Sequence, residues 1–368
     1  MTTALAHPTS IAADGAAPEL LPLLENTPIA RVTAPLPYPH PGFWAKLEYL
    51  GAGGMKARAA VSMLLGARHR GELAPGAPVV ESTSGTLGIG MAFAGRALGH
   101  PIVLVVDREL ETSMRSLLLA YGARLEVVTE PHPVGGWQRA RLERVHEICR
   151  GLSGAYWPNQ YNNPDNPAGY APLARELVDQ VGHADILVCS VGSGGHGSGI
   201  ARLLRSHWPG LHVIGVDTVG STIFGLAPRP RLMRGLGSSI YPRNVDYTQF
   251  DEVHWLGPAE AVHACRELSR RSFVTGGWST GAVATVAAWA ARMRPGAEVV
   301  TVFPDGPHRY LESIFDDDYC QRHGLLSGAA SRPVEVAFGE VDEVAGWARC
   351  RTVRDPLSHT RAEAGDAG

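Results

Sequence analysis

The chain contains only two lysines, Lys46 and Lys56, so 31 of its 33 basic residues are arginine. Lys56 stands in "EYLGAGGMKARAA", between a run holding Gly51, Gly53 and Gly54 and the alanine-rich start of a predicted helix. A lysine kept in such a loop can do what arginine cannot: lose its proton, attack a carbonyl and form a Schiff base. Drift in an arginine-biased sequence would leave the same residue there, and the loop alone leaves both readings open.

A second constellation is "DILVCSVGSGGHGSGIARLL". Gly192, Gly194 and Gly197 spell G-x-G-x-x-G between a predicted strand and a predicted helix, and Asp217 ends the next strand, as in a nicotinamide-dinucleotide site. Several strand and helix segments precede this one, whereas a Rossmann domain usually carries the fingerprint after its first strand. Glycines at a helix N-terminus also let backbone N–H groups surround a phosphate of any kind, and a plain tight turn is the bland alternative. "ESTSGTLGIG" places Ser82, Thr83, Ser84, Gly85 and Thr86 where a strand meets a helix, a ring of hydroxyls and N–H groups suited to a carboxylate. "GGWSTGA" puts Ser279 and Thr280 at the start of another apolar helix. Helix N-capping would explain either loop alone. Together with the isolated lysine, the three loops suggest one ligand bearing a phosphate, a ring nitrogen and an aldehyde.

The elements that must hold these loops follow from hydrophobic period. From Pro78 onward, apolar runs of four to six residues such as "PIVLVV", "DILVCSV" and "EVVTVFPD" alternate with helical patterns of ten or more. That rhythm predicts βαβ units and parallel sheets buried on both faces, with ligands at the carboxyl ends of strands. Residues 154–167 and 218–250, rich in Gly, Pro, Asn and Arg, interrupt it and are expected to be an interdomain crossing and an active-site loop. Residues 1–18 are expected to form a loose arm. The 321–368 extension is expected to be partly disordered, with a short strand in "VEVAF" and a short helix in "EVDEVAGWARCR". The expected domains are a large cofactor-binding one from 19–50 and 155–320 and a smaller substrate-loop one from 51–154.

Composition narrows the function classes. With 45% hydrophobic residues, 19% charged residues and a net charge of −3, the chain reads as an ordinary globular protein with room for two domains. No basic tract invites nucleic acid, and no run approaches the ~20 apolar residues of a membrane span. Without positive charge before Arg31 or a long apolar run ahead of it, a secretory signal is not expected. The five cysteines, Cys149, Cys189, Cys265, Cys320 and Cys350, are scattered without a C-x-x-C pair, which fits reduced thiols in the cytoplasm and offers no metal cluster.

In order along the chain, these motifs resemble the pyridoxal-phosphate enzymes of the cysteine synthase and cystathionine β-synthase group. The resemblance runs from "NTPIARV" at Asn26 to "FPDGPHRYLESIF" at Phe315, about four fifths of the chain. It implies the α/β architecture of fold type II, like the tryptophan synthase β subunit: two doubly wound domains with mainly parallel sheets, working as a homodimer on a small amino-acid substrate. "GGMKAR" is similar to the loop of the Schiff-base lysine, which gives Lys56 that role and leaves Lys46 structural. "STSGTLGIG" resembles the substrate-carboxylate loop, with Thr86 also near the cofactor's ring oxygen, and "NQYNNPDNP" resembles an active-site segment in which Gln160 helps hold the carboxylate. "GSGGH", Gly192, Ser193, Gly194, Gly195 and His196, matches the phosphate cradle, and "GGWSTGA" the loop whose Ser279 bonds the pyridine nitrogen. Arg234, just before "GLG", is implied to lie near the outer face of the cofactor and to offer a planar fork to an anionic substrate.

The implied chemistry is β-replacement on a serine- or cysteine-derived amino acid through a bound aminoacrylate. Hydrolytic β-elimination is the alternative, and a nicotinamide enzyme built on the glycine loop is the reading from another class. A neutral hydroxyl at Ser279 leaves the ring nitrogen largely unprotonated, a weaker electron sink that favours loss of a β-substituent over transamination. Departures from the family pattern are Thr86 for the usual Asn, Leu87 for Thr, Ala57 for Asp, His196 for Thr and Asp217 for Glu. They leave the cofactor in place and bring the usual cysteine synthase substrate pair into question.

Overall fold

A computed structural model describes residues 15–33, 36–83, 85–338 and 344–358. Ser84, most of the expected N-terminal arm and the last ten residues lie outside the described residues. The short apolar runs become strands of two sheets. The large sheet takes, in spatial order, Ile29–Val32 (β1), Phe43–Leu47 (β2), Val299–Phe303 (β9), Ile186–Ser190 (β6), His212–Thr218 (β7), Glu252–Leu256 (β8), Ala348–Cys350 (β11) and Val334–Glu335 (β10). Strands β2, β9, β6, β7 and β8 run parallel, while β1 on β2 and β11 on β8 are antiparallel. The small sheet is Val79–Ser82 (β3), Ile102–Asp107 (β4) and Arg124–Val128 (β5), all parallel. Every residue of β4, β6, β8 and β9 is buried; β4, β6 and β9 accordingly read as nearly continuous apolar runs, whereas β8, "EVHWL", buries Glu252 and His254 as a hydrogen-bonded pair.

Helices cross between the strands. Thr86–Leu98 (α2), Thr112–Ala120 (α3) and Gly136–Gly151 (α4) belong with the small sheet, and Met55–His69 (α1) packs on α2. Asp165–Ala168 (α5), Ala171–Val181 (α6), Gly195–His207 (α7), Pro258–Ser272 (α8) and Trp278–Met293 (α9) serve the large sheet. Helix α9, "WSTGAVATVAAWAARM", is buried almost all round, so small residues let it lie close to β9 and β6. Asp317–Arg322 (α10) follows the last strand of the matched pattern.

The C-terminal extension corrects one expectation. "VEVAF" contributes the two residues of β10, but the expected helix in "EVDEVAGWARCR" ends as strand β11, with residues 339–343 outside the described residues. Tertiary pairing overrides helix propensity here: β11 adds to the free edge of β8, and Trp347 beside it is buried. Its Nε1–H donates to His254 Nδ1 at 2.9 Å, and its ring meets Trp289 edge-on at 5.9 Å.

Candidate active site

Lys56 occupies the first turn of α1. Gly53 and Gly54 precede it at φ +72° and +66°, in the left-handed region that glycine alone enters freely, and Met55 N–H reaches the Pro304 carbonyl beyond β9 at 3.4 Å. Helix α2 presses on the same backbone: a Cβ at Gly90 would stand 2.8 Å from the Lys56 carbonyl carbon. The lysine and the 82–86 loop therefore start from touching helices. Two residues further on, Arg58 turns inward and ties α1 to the large sheet. Its guanidinium donates to Glu48 at 2.7 and 2.9 Å and to Glu176 at 2.8 and 3.0 Å, and Lys46 Nζ donates to Glu176 at 2.6 Å and to the Thr27 carbonyl at 2.6 Å. Lys46 is thus fully engaged in a buried charge network, with its pKa lowered by burial against the pull of Glu176.

The Lys56 amine leaves that network and faces α7, 3.1 Å from Ser193 Oγ. Burial pushes its pKa down to about 8, with the nearby Glu81 carboxylate opposing the shift. His196 sits close by in the first turn of α7. Burial, and then the Lys56 charge, pull it down to about 3, so the imidazole is neutral. Asn166 Nδ2 bridges Ser193 Oγ at 3.3 Å and the Gln160 carbonyl at 2.6 Å.

Gln160 joins this cluster to the 82–86 loop. Its Nε2 donates to the Ser82 carbonyl at 3.1 Å, and its backbone N–H donates to Glu81 Oε2 at 3.2 Å. Glu81 also accepts from Ser82 N–H at 2.7 Å and Trp157 Nε1–H at 3.2 Å, while burial pushes its pKa up to about 7. In the loop, Thr83 Oγ1 accepts Gly85 N–H at 3.0 Å, Gly85 has φ +151°, and Thr86 opens α2. A Cβ at Gly85 would stand 2.2 Å from Arg309 Nη1, so that guanidinium lies against the loop and glycine is required.

The remaining expected residues divide. Ser279, in the first turn of α9, lies with its Oγ 3.4 Å from Asp305 Oδ1 and 3.6 Å from where a Cβ of Gly235 would be. Gly192 packs on the Gly235 carbonyl at 3.4 Å by the same measure, so the cradle, the "GLG" turn and Ser279 meet. Arg234 stands apart: its Nη2 pairs with Glu109 at 3.1 Å across the gap between the two sheets' loops, and its side chain is 26% exposed. Asp217, at the end of β7, caps Thr218 N–H at 2.8 Å, and burial pushes it up to about 7.

Sequence reasoning missed a second group. Arg141 of α4 is buried, paired with Asp107 and donating to Ser82 Oγ at 3.3 Å, and the Tyr161 phenol lies close to both Gln138 and Arg141. Asp305 accepts the Tyr310 hydroxyl, and Arg309 pairs with Glu111 at 3.1 and 3.2 Å. Tyr161, Asp305, Arg309 and Tyr310 all fall inside the motifs that carried the resemblance. Arg141 had no such marker among so many arginines.

The residues present fit a phosphorylated pyridine. Gly194 has φ +83°, and a Cβ there would stand 2.5 Å from Val245 N, so the turn admits no side chain. The N–H groups of Gly195, His196 and Gly197 precede the bond from Ser198 N–H to the Gly194 carbonyl at 3.1 Å, and so face outward from a 13-residue helix as an anion site. Asn166 closes the turn from the side, since a Cβ at Gly195 would stand 2.0 Å from its Oδ1. At the other end Ser279 offers a neutral hydroxyl, and the fold also brings in the Lys56 amine, whose pKa burial lowers to about 8.

Residues 20–305 match the family described as pyridoxal-phosphate dependent enzyme. The N-(2-amino-2-carboxyethyl)-L-glutamate synthase of Ralstonia nicotianae (strain ATCC BAA-1114 / GMI1000) is 37% identical over 286 residues, 76% of this chain and 84% of that protein. The synthase of the same name from Cupriavidus metallidurans (strain ATCC 43123 / DSM 2839 / NBRC 102507 / CH34) is 35% identical over 304 residues, 81% and 89% of the two chains. Among solved structures, the O-acetylserine dependent cystathionine beta-synthase from Helicobacter pylori superposes with a TM-score of 0.73 at 28% identity, over 80% of this chain and 97% of that one. With Lys56, the glycine run at 192–197 and the hydroxyl loops brought together by the fold, and with most of its length matched, the chain belongs to the pyridoxal-phosphate dependent enzyme family.

Proposed function

We propose that this enzyme joins the three-carbon unit of a serine-derived donor to the amino nitrogen of L-glutamate by β-replacement, forming N-(2-amino-2-carboxyethyl)-L-glutamate. Two relatives of that name, each aligned over three quarters or more of this chain, support the product. The observation within the site that carries the reading is Arg141. A buried guanidinium that bonds Ser82 of the 82–86 loop through Nε and pairs with Asp107 through Nη1 alone suits a donor whose leaving group is itself an anion, such as phosphate.

The bound cofactor supplies an electron sink at the substrate Cα. The loop from Ser82 to Thr86, with Gln160 behind it, holds the donor's α-carboxylate through N–H groups and hydroxyls. Lys56 Nζ, depressed by burial, takes the Cα proton. The Cβ–O bond then breaks, the leaving group carrying the electron pair toward Arg141. The glutamate amine forms a bond to Cβ and gives up a proton, and Lys56 returns a proton to Cα. Ser193 orients the lysine amine, and neutral His196 leaves the cradle free of competing positive charge at Lys56. Arg234 would act on anionic substrates only from the rim.

The test is direct. Holoenzyme is given L-glutamate with O-phosphoserine, O-acetylserine, serine or cysteine, and products are read by mass spectrometry. The carboxyethyl-glutamate product from O-phosphoserine is expected. Pyruvate and ammonia in its place would make the enzyme a β-eliminating lyase. Size-exclusion chromatography of the same sample reads the homodimer expected of it.

A further inference from the structure

A chain of polar side chains leads from the substrate loop to a second arginine on the opposite wall. It runs from Ser82 to Arg141, to Tyr161, to Gln138, and then to the loop after "GLG". There Gln138 Nε2 donates to Ser238 Oγ at 3.3 Å, and its Oε1 accepts Ser239 N–H at 3.2 Å. Behind that loop lies Arg231, half-buried. Its Nη1 donates to the carbonyls of Gly220 at 3.0 Å and Ser238 at 3.2 Å, and its Nη2 donates to Ser239 Oγ at 3.1 Å.

Arg231 differs from the other arginines around the cleft. Arg141, Arg234 and Arg309 each hold a carboxylate, of Asp107, Glu109 and Glu111. No carboxylate of the described residues lies within ion-pair distance of Arg231. Its charge is also poorly solvated, since burial lowers its pKa, and Asp217 and Tyr161 only partly offset this from a distance. A guanidinium has five N–H donors, and the three bonds above leave Nε–H and one Nη2–H, the side-on fork that a carboxylate accepts. The loop it braces also carries Gly235, which lies against Ser279 and Gly192, so Arg231 is tied to a loop that reaches the cofactor's place.

We propose that Arg231 is the specificity-determining residue for the nucleophile, receiving the side-chain carboxylate of an acidic amino acid while Arg141 serves the donor. The inference rests on the reading above, in which the nucleophile is an amino acid with one carboxylate beyond its α-carboxylate. A donor held at Ser82–Thr86 leaves the opposite wall for the incoming amine, and a dicarboxylate brings to Arg231 the close counter-charge that, among the described residues, only Asp217 offers and only from a distance.

The experiment compares wild type with Arg231→Gln, Arg231→Lys and Ser239→Asp, the last supplying a carboxylate to Arg231 without removing it. Each holoenzyme is assayed with O-phosphoserine and either L-glutamate or L-glutamine, a nucleophile of equal size without the charge. The ratio of kcat/KM for glutamate over glutamine should fall tenfold or more in Arg231→Gln and Ser239→Asp, through KM, while Arg231→Lys keeps part of the preference. The visible spectral change on adding donor alone reports loading and the donor half of the reaction in every variant. If Arg231→Gln fails to load, Ser239→Asp decides. An unchanged ratio would overturn the proposal and leave Arg231 a brace between two loops. Wild type that makes no adduct with L-glutamate would instead overturn the proposed function and this inference with it, an outcome visible before any variant is made.

Discussion

Lys56 and Lys46 show how one side chain takes opposite roles according to its partners. Lys46 is matched by Glu176 and held by carbonyls, whereas Lys56 meets a hydroxyl and a neutral imidazole, so its proton is easily lost. Capture of cofactor by apoprotein, followed by visible absorption, should therefore speed up about tenfold per pH unit and level off near pH 8; an ordinary lysine would keep accelerating to about pH 10.4. Lys56→Ala should abolish covalent capture, and borohydride reduction with peptide mapping should find the label on Lys56 alone. Arg141→Met should lower kcat/KM for O-phosphoserine by at least tenfold, or about 1.4 kcal/mol, and spare O-acetylserine. Equal losses on both donors would remove Arg141 from the donor site. Rarity made Lys56 legible in the sequence, and hydroxyl clustering did the same for Ser82–Thr86 and Ser279. Arg141 and Arg231 were not legible, because their meaning lies in which charges surround them and 31 arginines look alike in a string.

Helix α1 is fixed by charge as much as by apolar packing. Burial works against ionised Glu176, but the bonds from Arg58 and Lys46 outweigh it and lower its pKa. Glu176→Gln would leave two buried cations with half their counter-charge and should cost about 3–5 kcal/mol in urea unfolding. Two ion pairs cross between the large sheet's loops and the small sheet's loops, and they differ in burial. Arg309, 6% exposed against Glu111, should matter more than Arg234, 26% exposed against a half-exposed Glu109. Arg309→Gln should lose about 2 kcal/mol and raise KM for the donor, since the guanidinium lies on Gly85; Arg234→Gln should change stability by about 0–1 kcal/mol. Helices and strands of the βαβ rhythm were readable because each has its own period. The strand at Ala348–Cys350 was not, because the free edge of β8 that recruits it is a property of the assembled sheet.

For the whole molecule, several carboxylates are held below their usual range against the cost of burial, Glu176 by bonds from Arg58 and Lys46 and Glu252 by hydrogen bonds from His212 and His254 with Arg349 nearby. A depressed carboxylate stabilises the fold above its unfolded pKa and loses that contribution as pH falls through the folded value. Glu81 and Asp217, raised by burial to about 7, act with the opposite sign between about pH 4 and 7, so thermal unfolding temperature should not fall from neutrality to about pH 4.5 and should drop steadily below it, a profile that scanning calorimetry would read. Trp347→Ala should cost about 3–5 kcal/mol by emptying a packed site and leaving His254 Nδ1 without its donor. The order of strands across the large sheet has a further consequence for how the protein comes into being. Strand β2 is hydrogen-bonded on one side to β1 and on the other to β9, with Lys46 opposite Val302, and β8 receives β11 only from the far end of the chain. At synthesis rates of about 5–20 residues per second, the β1–β2 ribbon waits roughly 10–50 s on the ribosome for its inner neighbour. Meanwhile β3, β4 and β5, contiguous in sequence, can already have formed their own sheet. The nascent chain thus carries a finished 82–86 loop before it has the glycine run at 192–197, and strand edges on β2 and β8 that must be shielded until translation is nearly over.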